Sequence, residues 1–286
     1  MDRIESNNKV WFVTGASSGI GLELVKSLVE KGYSVAGTSR KLSNLKDKIA
    51  NERFLPLEVD LANESSVEDA LKKTVEKFGK LDVVVNNAGQ AVFGALEEFS
   101  DSELRNIFDS NYFGPLNVIR HSLKYLRPQG HGLIYNVSSI AGFIGNAQWG
   151  AYASTKFALT GASEALAAEL KPLGIQVVSV NPGMVDTPIH NYKPFTKITI
   201  PEYKSKEKID NFYKYRYSIR STVPYSDPIK LSNLLIDLSN QTDIPVNLFC
   251  GVDSIHTAKD KLSNLSKDIT SYEKSAGADI LESNKN

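Results

Sequence analysis

The run Val10-Trp11-Phe12-Val13-Thr14-Gly15-Ala16-Ser17-Ser18-Gly19-Ile20-Gly21 decides the fold. Four apolar residues stop at a turn holding three glycines, after which Leu22, Val25, Leu28 and Val29 recur at helical spacing. Strand, glycine turn and amphipathic helix, in that order, make a phosphate cradle. Glycines permit a tight turn and close backbone approach, and a helix N-terminus offers free N–H groups and the positive end of a dipole. The spacing is G-x-x-x-G-x-G rather than the commoner G-x-G-x-x-G, so the context carries the reading.

The alternation continues outward from this unit. Tyr33–Thr38, Phe54–Val59, Leu81–Val85 and Gly132–Val137 read as strands, with helical segments between them. Asn63 caps a helix that runs to about Phe78, and Gly79 ends it. The near-continuous apolar run Leu81–Val85 suits a strand covered on both faces. A helix from about Asp101 to Leu126 holds Asn111 and, shortly after, Pro115, which must disturb it locally. The pattern predicts one α/β domain over residues 1–286, a doubly wound parallel sheet of about seven strands flanked by helices. Ligands of such sheets bind beyond the carboxyl ends of the strands. The glycine loop, Asp60, Asn86–Gly89, Ser139 and Asn181-Pro182-Gly183 all fall at such ends.

Tyr152-Ala153-Ser154-Thr155-Lys156 carries the candidate chemistry. Residues four apart share a helix face, which sets an ammonium beside a phenol. The expectation is a phenol pulled below its usual value of about 10, suited to proton transfer at a carbonyl or alcohol oxygen. The second strand ends in Ser39-Arg40, about twenty residues past the glycine loop, where an acidic residue would bind the ribose 2′-hydroxyl of NAD. No carboxylate lies between Val35 and Leu45, and Arg40 offers a permanent planar cation for a 2′-phosphate. NADPH is therefore expected over NADH.

Composition limits the alternatives. Thirty-three basic and thirty-three acidic residues give zero formal charge, which argues against nucleic-acid binding through bulk charge. Cys250 is the single cysteine, and the four histidines (His121, His131, His190, His256) show no metal spacing and read as surface or loop residues. No apolar run reaches a membrane span, and the polar start is not that of a signal peptide. The expected compartment is the cytoplasm, with no metal, nucleic-acid or membrane partner.

Taken together, T-G-x-x-x-G-x-G at Thr14–Gly21, N-N-A-G at Asn86–Gly89 and Y-x-x-x-K at Tyr152–Lys156 resemble a Rossmann-type short-chain dehydrogenase/reductase over roughly residues 9–190. The resemblance implies that Tyr152 is the general acid or base and that Lys156 lowers its pKa and binds the nicotinamide ribose. Ser139 would polarise the carbonyl, and Asn111 would hold a proton-relaying water. It implies cofactor contacts at Gly15, Ser17, Ser18, Gly19, Ile20, Gly21, Ser39, Arg40, Asp60, Leu61, Asn87, Ala88, Gly89, Tyr152, Lys156, Pro182, Gly183, Val185 and Thr187. Phe143, Gln148 and Trp149, with Ser139 and Tyr152, are the candidate substrate residues, and Asn146 is a further pocket candidate. The small residues Ala158, Gly161, Ala162, Ala165, Ala167 and Ala168 suit either a subunit interface, as in a homodimer or homotetramer, or close packing within the monomer.

From about 188 to 226 the periodicity weakens and aromatics accumulate: Tyr192, Phe195, Tyr203, Phe212, Tyr213, Tyr215 and Tyr217. A long insertion of this kind reads as a substrate lid. Its aromatics either line an apolar pocket or simply anchor the lid. Asp227-Pro228 opens a helix to about Asn240, Val246–Gly251 is the last strand, and an amphipathic extension follows from 253 to about 280. The extension resembles the hydroxysteroid- and retinol-dehydrogenase-like branch, and Leu281–Asn286 reads as a disordered end. The expected activity is NADP(H)-dependent interconversion of a ketone or aldehyde with an alcohol on an apolar small molecule. Where the aromatics line a pocket, that molecule is a fairly large ketone, steroid or aryl compound. One rival is a different enzymatic outcome on the same scaffold, such as an epimerase or dehydratase, against which the intact Ser139, Tyr152 and Lys156 set argues. The other is a non-catalytic NADP(H)-binding sensor or regulatory protein on the same fold.

Overall fold

The computed structural model describes residues 9–46, 48–188 and 194–276. Among them a seven-stranded parallel sheet forms in the order β3-β2-β1-β4-β5-β6-β7. The strands are β1 (Val10–Val13), β2 (Ser34–Ser39), β3 (Phe54–Glu58), β4 (Val83–Asn86), β5 (Gly132–Val137), β6 (Ile175–Pro182) and β7 (Asn247–Cys250). The strand order reverses between β1 and β4, which opens a crevice at their carboxyl ends.

Alternation along each strand feeds two cores. Trp11, Val13, Val83, Val85 and Tyr135 point to one face, covered by α1 (Gly19–Glu30) and α7 (Pro228–Leu238) through Leu24, Leu28, Leu231 and Leu235. Phe12, Val84, Ile134 and Val177 point to the other. There α2 (Glu64–Phe78), α4 (Gly114–Gln129) and α5 (Gly150–Leu170) supply Leu71, Val118, Leu126 and Leu170. Apolar cover on both faces explains the unbroken hydrophobic runs of the central strands.

Several local expectations hold. The Asn63 side chain accepts from the Ser66 N–H at the start of α2, Gly79 ends that helix in the left-handed region, and Asp227 caps α7. The single helix expected over 101–126 is instead α3 (Asp101–Phe108), a π-helical turn (Asp109–Phe113) and α4. Pro115 has no N–H for the carbonyl four residues back, that of Asn111, so a regular α-helix cannot pass this point intact.

The region after β6 is more ordered than its weak periodicity implies. Phe195 bridges to Phe93, Pro201–Tyr203 form a 3-10 turn, and α6 (Ser205–Ser218) is a full helix. The extension is helical as α8 (Val252–Ala276). His121 is a correction to the surface reading: it is buried on α4, its Nε2 2.9 Å from Glu64 of α2. His190, Tyr192 and residues 277–286, including Leu281–Asn286, lie outside the described residues. No described helix is long and apolar enough to cross a membrane.

Candidate active site

The glycine loop is shaped by the segment after β4. Thr14 Oγ1 accepts from the backbone N–H groups of Asn87 and Ala88, each at 3.0 Å. The Asn87 amide donates back to the carbonyls of Thr14 (2.9 Å) and Gly15 (3.2 Å). A Cβ at Gly21 would stand 2.4 Å from Asn87 Nδ2 and 2.4 Å from the Gly15 carbonyl, so only glycine fits there. Asn87 and Ala88 thus build the cradle from below. Thr14 is the organiser, and only its place in the T-G motif marked it in sequence.

α1 begins without a side-chain cap, although Ser18 stands at the capping position. By contrast α2, α3 and α7 are capped by Asn63, Ser100 and Asp227. The first N–H groups of α1 therefore remain available to an outside acceptor. A cavity of about 400 Å³ opens here, lined by Ser17, Ser18 and Gly19 on one side and by Asp186, Pro188 and Pro228 on the other. Val185 pairs with Ser226, and the Thr187 hydroxyl lies 3.4 Å from the Val185 carbonyl, so this loop after β6 faces the glycine loop. Ile20 packs into the core beneath.

Pro182 ends β6 in register with Cys250 of β7, and Gly183 follows with its N–H on the Cys250 carbonyl at 3.0 Å. At the end of β2, Ser39 is buried and Arg40 is exposed, with no ion pair among the described residues. Asp60 is exposed after β3, accepting from the Ala62 N–H at 3.0 Å. The Leu61 carbonyl is fixed by Asn117 of α4 at 2.9 Å.

Ser139, Tyr152 and Lys156 meet at the end of β5. The Ser139 hydroxyl accepts from the Ala141 N–H at 3.1 Å and lies beside the Tyr152 phenol, where it acts to lower the phenol's pKa. Lys156 is buried, donating to the Val137 carbonyl at 2.8 Å, with Nζ 5.7 Å from the centre of the Tyr152 ring. A Cβ at Gly89 would lie 3.3 Å from Asn111 Oδ1 and 3.4 Å from Lys156 Nζ, so Gly89 leaves those groups room. Asn111 sits in the π turn, fully buried. It donates to the Gln90 carbonyl (2.8 Å) and Thr155 Oγ1 (3.0 Å) and accepts from the Gln90 N–H (2.8 Å).

The electrostatics correct one expectation. Burial pushes the Tyr152 phenol up, opposed by the neighbouring Ser139 hydroxyl, so it is not lowered. Burial also brings the Lys156 ammonium down to about 8. A buried polar ladder runs behind the site: Asn86 donates to Asn136 (2.8 Å), and Asn136 donates to Ser163 of α5 (2.9 Å). Ser138 Oγ donates to the Lys156 carbonyl at 3.1 Å, and so ties the helix to β5.

Beside Tyr152 stands a wall of rings. Trp149 lies 6.1 Å from Tyr152, 4.7 Å from Phe93, 5.5 Å from Phe212 and 6.4 Å from Tyr213, centre to centre. Gln148, buried and at φ 65°, sets the backbone before Trp149 and accepts the Gly94 N–H at 3.0 Å. Phe93 carries no motif and was not among the sequence candidates. Phe143 packs instead against Phe249 of β7 at 5.2 Å, and Asn146 is exposed. Among the described residues no cluster of His, Cys, Asp or Glu could hold a metal ion.

This geometry agrees with what known proteins share with the chain. The short chain dehydrogenase family matches residues 9–196. An oxidoreductase of Botryotinia fuckeliana, BOA17, is 34% identical over 254 residues, 87% of this chain and 91% of that protein. A short-chain dehydrogenase from Streptomyces avermitilis superposes with a TM-score of 0.85 at 29% identity, over 96% of this chain and 99% of that one. Two further structures hold a nicotinamide cofactor. The 3-ketoacyl-(acyl-carrier-protein) reductase of Brucella melitensis, complexed with NADH, has a TM-score of 0.74 at 25% identity, over 86% and 97% of the two chains. ElxO with NADP bound has a TM-score of 0.69 at 26% identity, over 84% and 96%. The chain is an oxidoreductase of the short-chain dehydrogenase family.

Proposed function

We propose that the chain interconverts a ketone or aldehyde with an alcohol, using NADP(H). The observation that carries this reading is the meeting of Ser139 and Tyr152 beside a buried Lys156, on the sheet edge that also holds the glycine cradle. The residues suit a dinucleotide. Gly21 keeps the cradle open, α1 offers uncapped N–H groups, and Arg40 is exposed at the end of β2 without an ion pair among the described residues. The bound NADH and NADP of the two neighbours support a nicotinamide cofactor, and Arg40 favours the phosphorylated one.

A bound reduced nicotinamide supplies hydride to the carbonyl carbon. The hydroxyls of Ser139 and Tyr152 meet the developing oxyanion, and Tyr152 gives up its proton. Burial keeps that phenol protonated at neutral pH, the state a reductase needs. Lys156, mostly cationic below pH 8, stabilises the phenolate left behind. Asn111 holds a water at the turn that Pro115 forces open, and the water returns a proton through Lys156. The described residues 194–226 act as the lid, and the ring wall that its Phe212 and Tyr213 form with Trp149 and Phe93 suits an apolar carbonyl compound. Of the small residues of α5, Ala167 packs against the core, whereas Gly161, Ala165 and Ala168 are exposed and would meet a partner in a homodimer or homotetramer. The lone, buried Cys250 suits the cytoplasm.

The test is oxidation of NADPH and of NADH against aliphatic, aryl, steroid and β-keto substrates. Turnover preferring NADPH supports the reading. Tight NADPH binding with no turnover on any substrate would replace it with the sensor.

A further inference from the structure

The last helix carries an apolar stripe that no described part of the chain covers. Every described residue of α8 from Leu262 onward is exposed. Its apolar residues are Ile255, Ala258, Leu262, Leu265, Ile269 and Tyr272, separated alternately by three and four positions, as the a and d sites of a heptad repeat are. Ala258 is buried, whereas Leu262 is 57%, Leu265 39%, Ile269 68% and Tyr272 70% exposed. The stretch from Leu262 to Ala276 is about 22 Å long at ~1.5 Å per residue. A helix this short gains little from propensity alone, and its stability must come from packing the stripe.

The charges beside the stripe identify what covers it. At the flanking e and g positions the first half carries Lys259 and Lys261, and the second half carries Asp268 and Glu273. None of the four forms an ion pair among the described residues. Two such helices in parallel would set Asp268 against the partner's Glu273 on both sides, a like-charge contact. Antiparallel, the basic half of each meets the acidic half of the other, twice by symmetry. A membrane surface fits less well. Four lysines and four acidic residues leave residues 252–276 without net charge to draw it to anionic lipid.

We propose that α8 pairs antiparallel with α8 of a second copy of this chain. Leu262, Leu265, Ile269 and Tyr272 form the shared seam, and Lys259 and Lys261 face the partner's Asp268 and the partner's Glu273. This contact lies on a different helix from the exposed face of α5, and the variants below change α8 alone.

Sedimentation of the full chain tests it with two variants. Lys259→Glu with Lys261→Glu makes the flanks wholly acidic, and Asp268→Lys with Glu273→Lys makes them wholly basic. Each variant alone should sediment at half the wild-type mass, and an equimolar mixture should return to the wild-type mass, which also shows that both are folded. Ile269→Glu should halve the mass and not recover on mixing. An acidic variant that stays assembled, a mixture that stays apart, or a single-chain wild type that co-sediments with phosphatidylserine vesicles would each overturn the proposal.

Discussion

Lys156 Nζ stands 5.7 Å from the centre of the Tyr152 ring, while it donates a hydrogen bond to the Val137 carbonyl 2.8 Å away. The ammonium is near enough to favour a phenolate, yet it is anchored to β5 rather than to the phenol. Burial dominates the free site and keeps Tyr152 protonated. Tyr152→Phe removes the transferable proton and little else. Carbonyl reduction should fall ~10²–10⁴-fold, the usual worth of general acid catalysis, with NADPH affinity unchanged by fluorescence titration. Loss of binding instead would make Tyr152 a structural residue.

Lys156 yields a prediction of opposite sign for stability and activity. Its folded value of about 8 lies below its ordinary 10.5. Between these values the unfolded chain binds the extra proton, so stability rises as pH rises through this window. Below pH 8 the buried ammonium costs roughly 3 kcal/mol. Lys156→Met should therefore raise the Tm of the free protein by several degrees at neutral pH while abolishing turnover. A lower Tm would mean that the bond to Val137 outweighs the burial of charge.

Arg40 tests the cofactor alone. Arg40→Ala removes an exposed cation and should leave the fold intact. NADPH should weaken by ~10-fold or more, the scale of a charge-assisted phosphate contact, and NADH hardly at all. Equal weakening of both would sink the 2′-phosphate assignment.

The sheet was legible because the central strands are apolar on two faces and the helices that cover them on one, so period separates them. The convergence of Gly15, Ser139, Tyr152 and Lys156 was legible because strand ends share an edge. Two things were not. The pKa of Tyr152 depends on how much protein covers it, and a four-residue spacing says nothing of cover. α6 packs Ile209, Phe212 and Tyr213 inward, but the region after β6 looked irregular because its first part, up to Ser205, is anchored by polar groups. Its partners, Glu97, Glu98 and Glu103, lie about a hundred residues earlier in the chain.

Those carboxylates make the region acid-sensitive. Glu98 is buried, accepting from Ser205 Oγ (2.6 Å) and from the N–H groups of Ala95 (2.8 Å) and Ile200 (2.9 Å). Burial alone would raise its carboxyl, but these bonds outweigh it and hold it below the usual carboxylate range. Glu103 is likewise held low by its bonds to Ser100 and Lys197, against some burial. A depressed carboxyl stabilises above its unfolded value and loses that contribution as pH falls through the folded one. Hydrogen exchange over residues 197–218 should therefore rise below pH ~4, before the sheet opens. Glu98→Gln should speed this exchange even at neutral pH, since one acceptor oxygen becomes a donor at a cost of ~1–3 kcal/mol. Exchange in the variant equal to wild type would show that the region is held by its rings alone.

The ring wall itself separates packing from recognition. Trp149 touches the rings of Phe93, Phe212, Tyr213 and Tyr152 at once, so its size sets the distance between the lid and the proton donor. Trp149→Phe keeps an aromatic ring and frees room beside Tyr152. The ratio of kcat/KM for a bulky aryl ketone to that for a small aliphatic one should rise ~10-fold or more, the discrimination that a methylene or two supplies in an apolar pocket. NADPH affinity should stay constant, because the wall lies away from the glycine cradle. Tyr213→Phe, which keeps the ring and removes only the hydroxyl, should leave this ratio unchanged if the wall selects by shape. If Trp149→Phe lowers Tm and leaves the ratio untouched, these aromatics anchor the lid and recognition lies elsewhere.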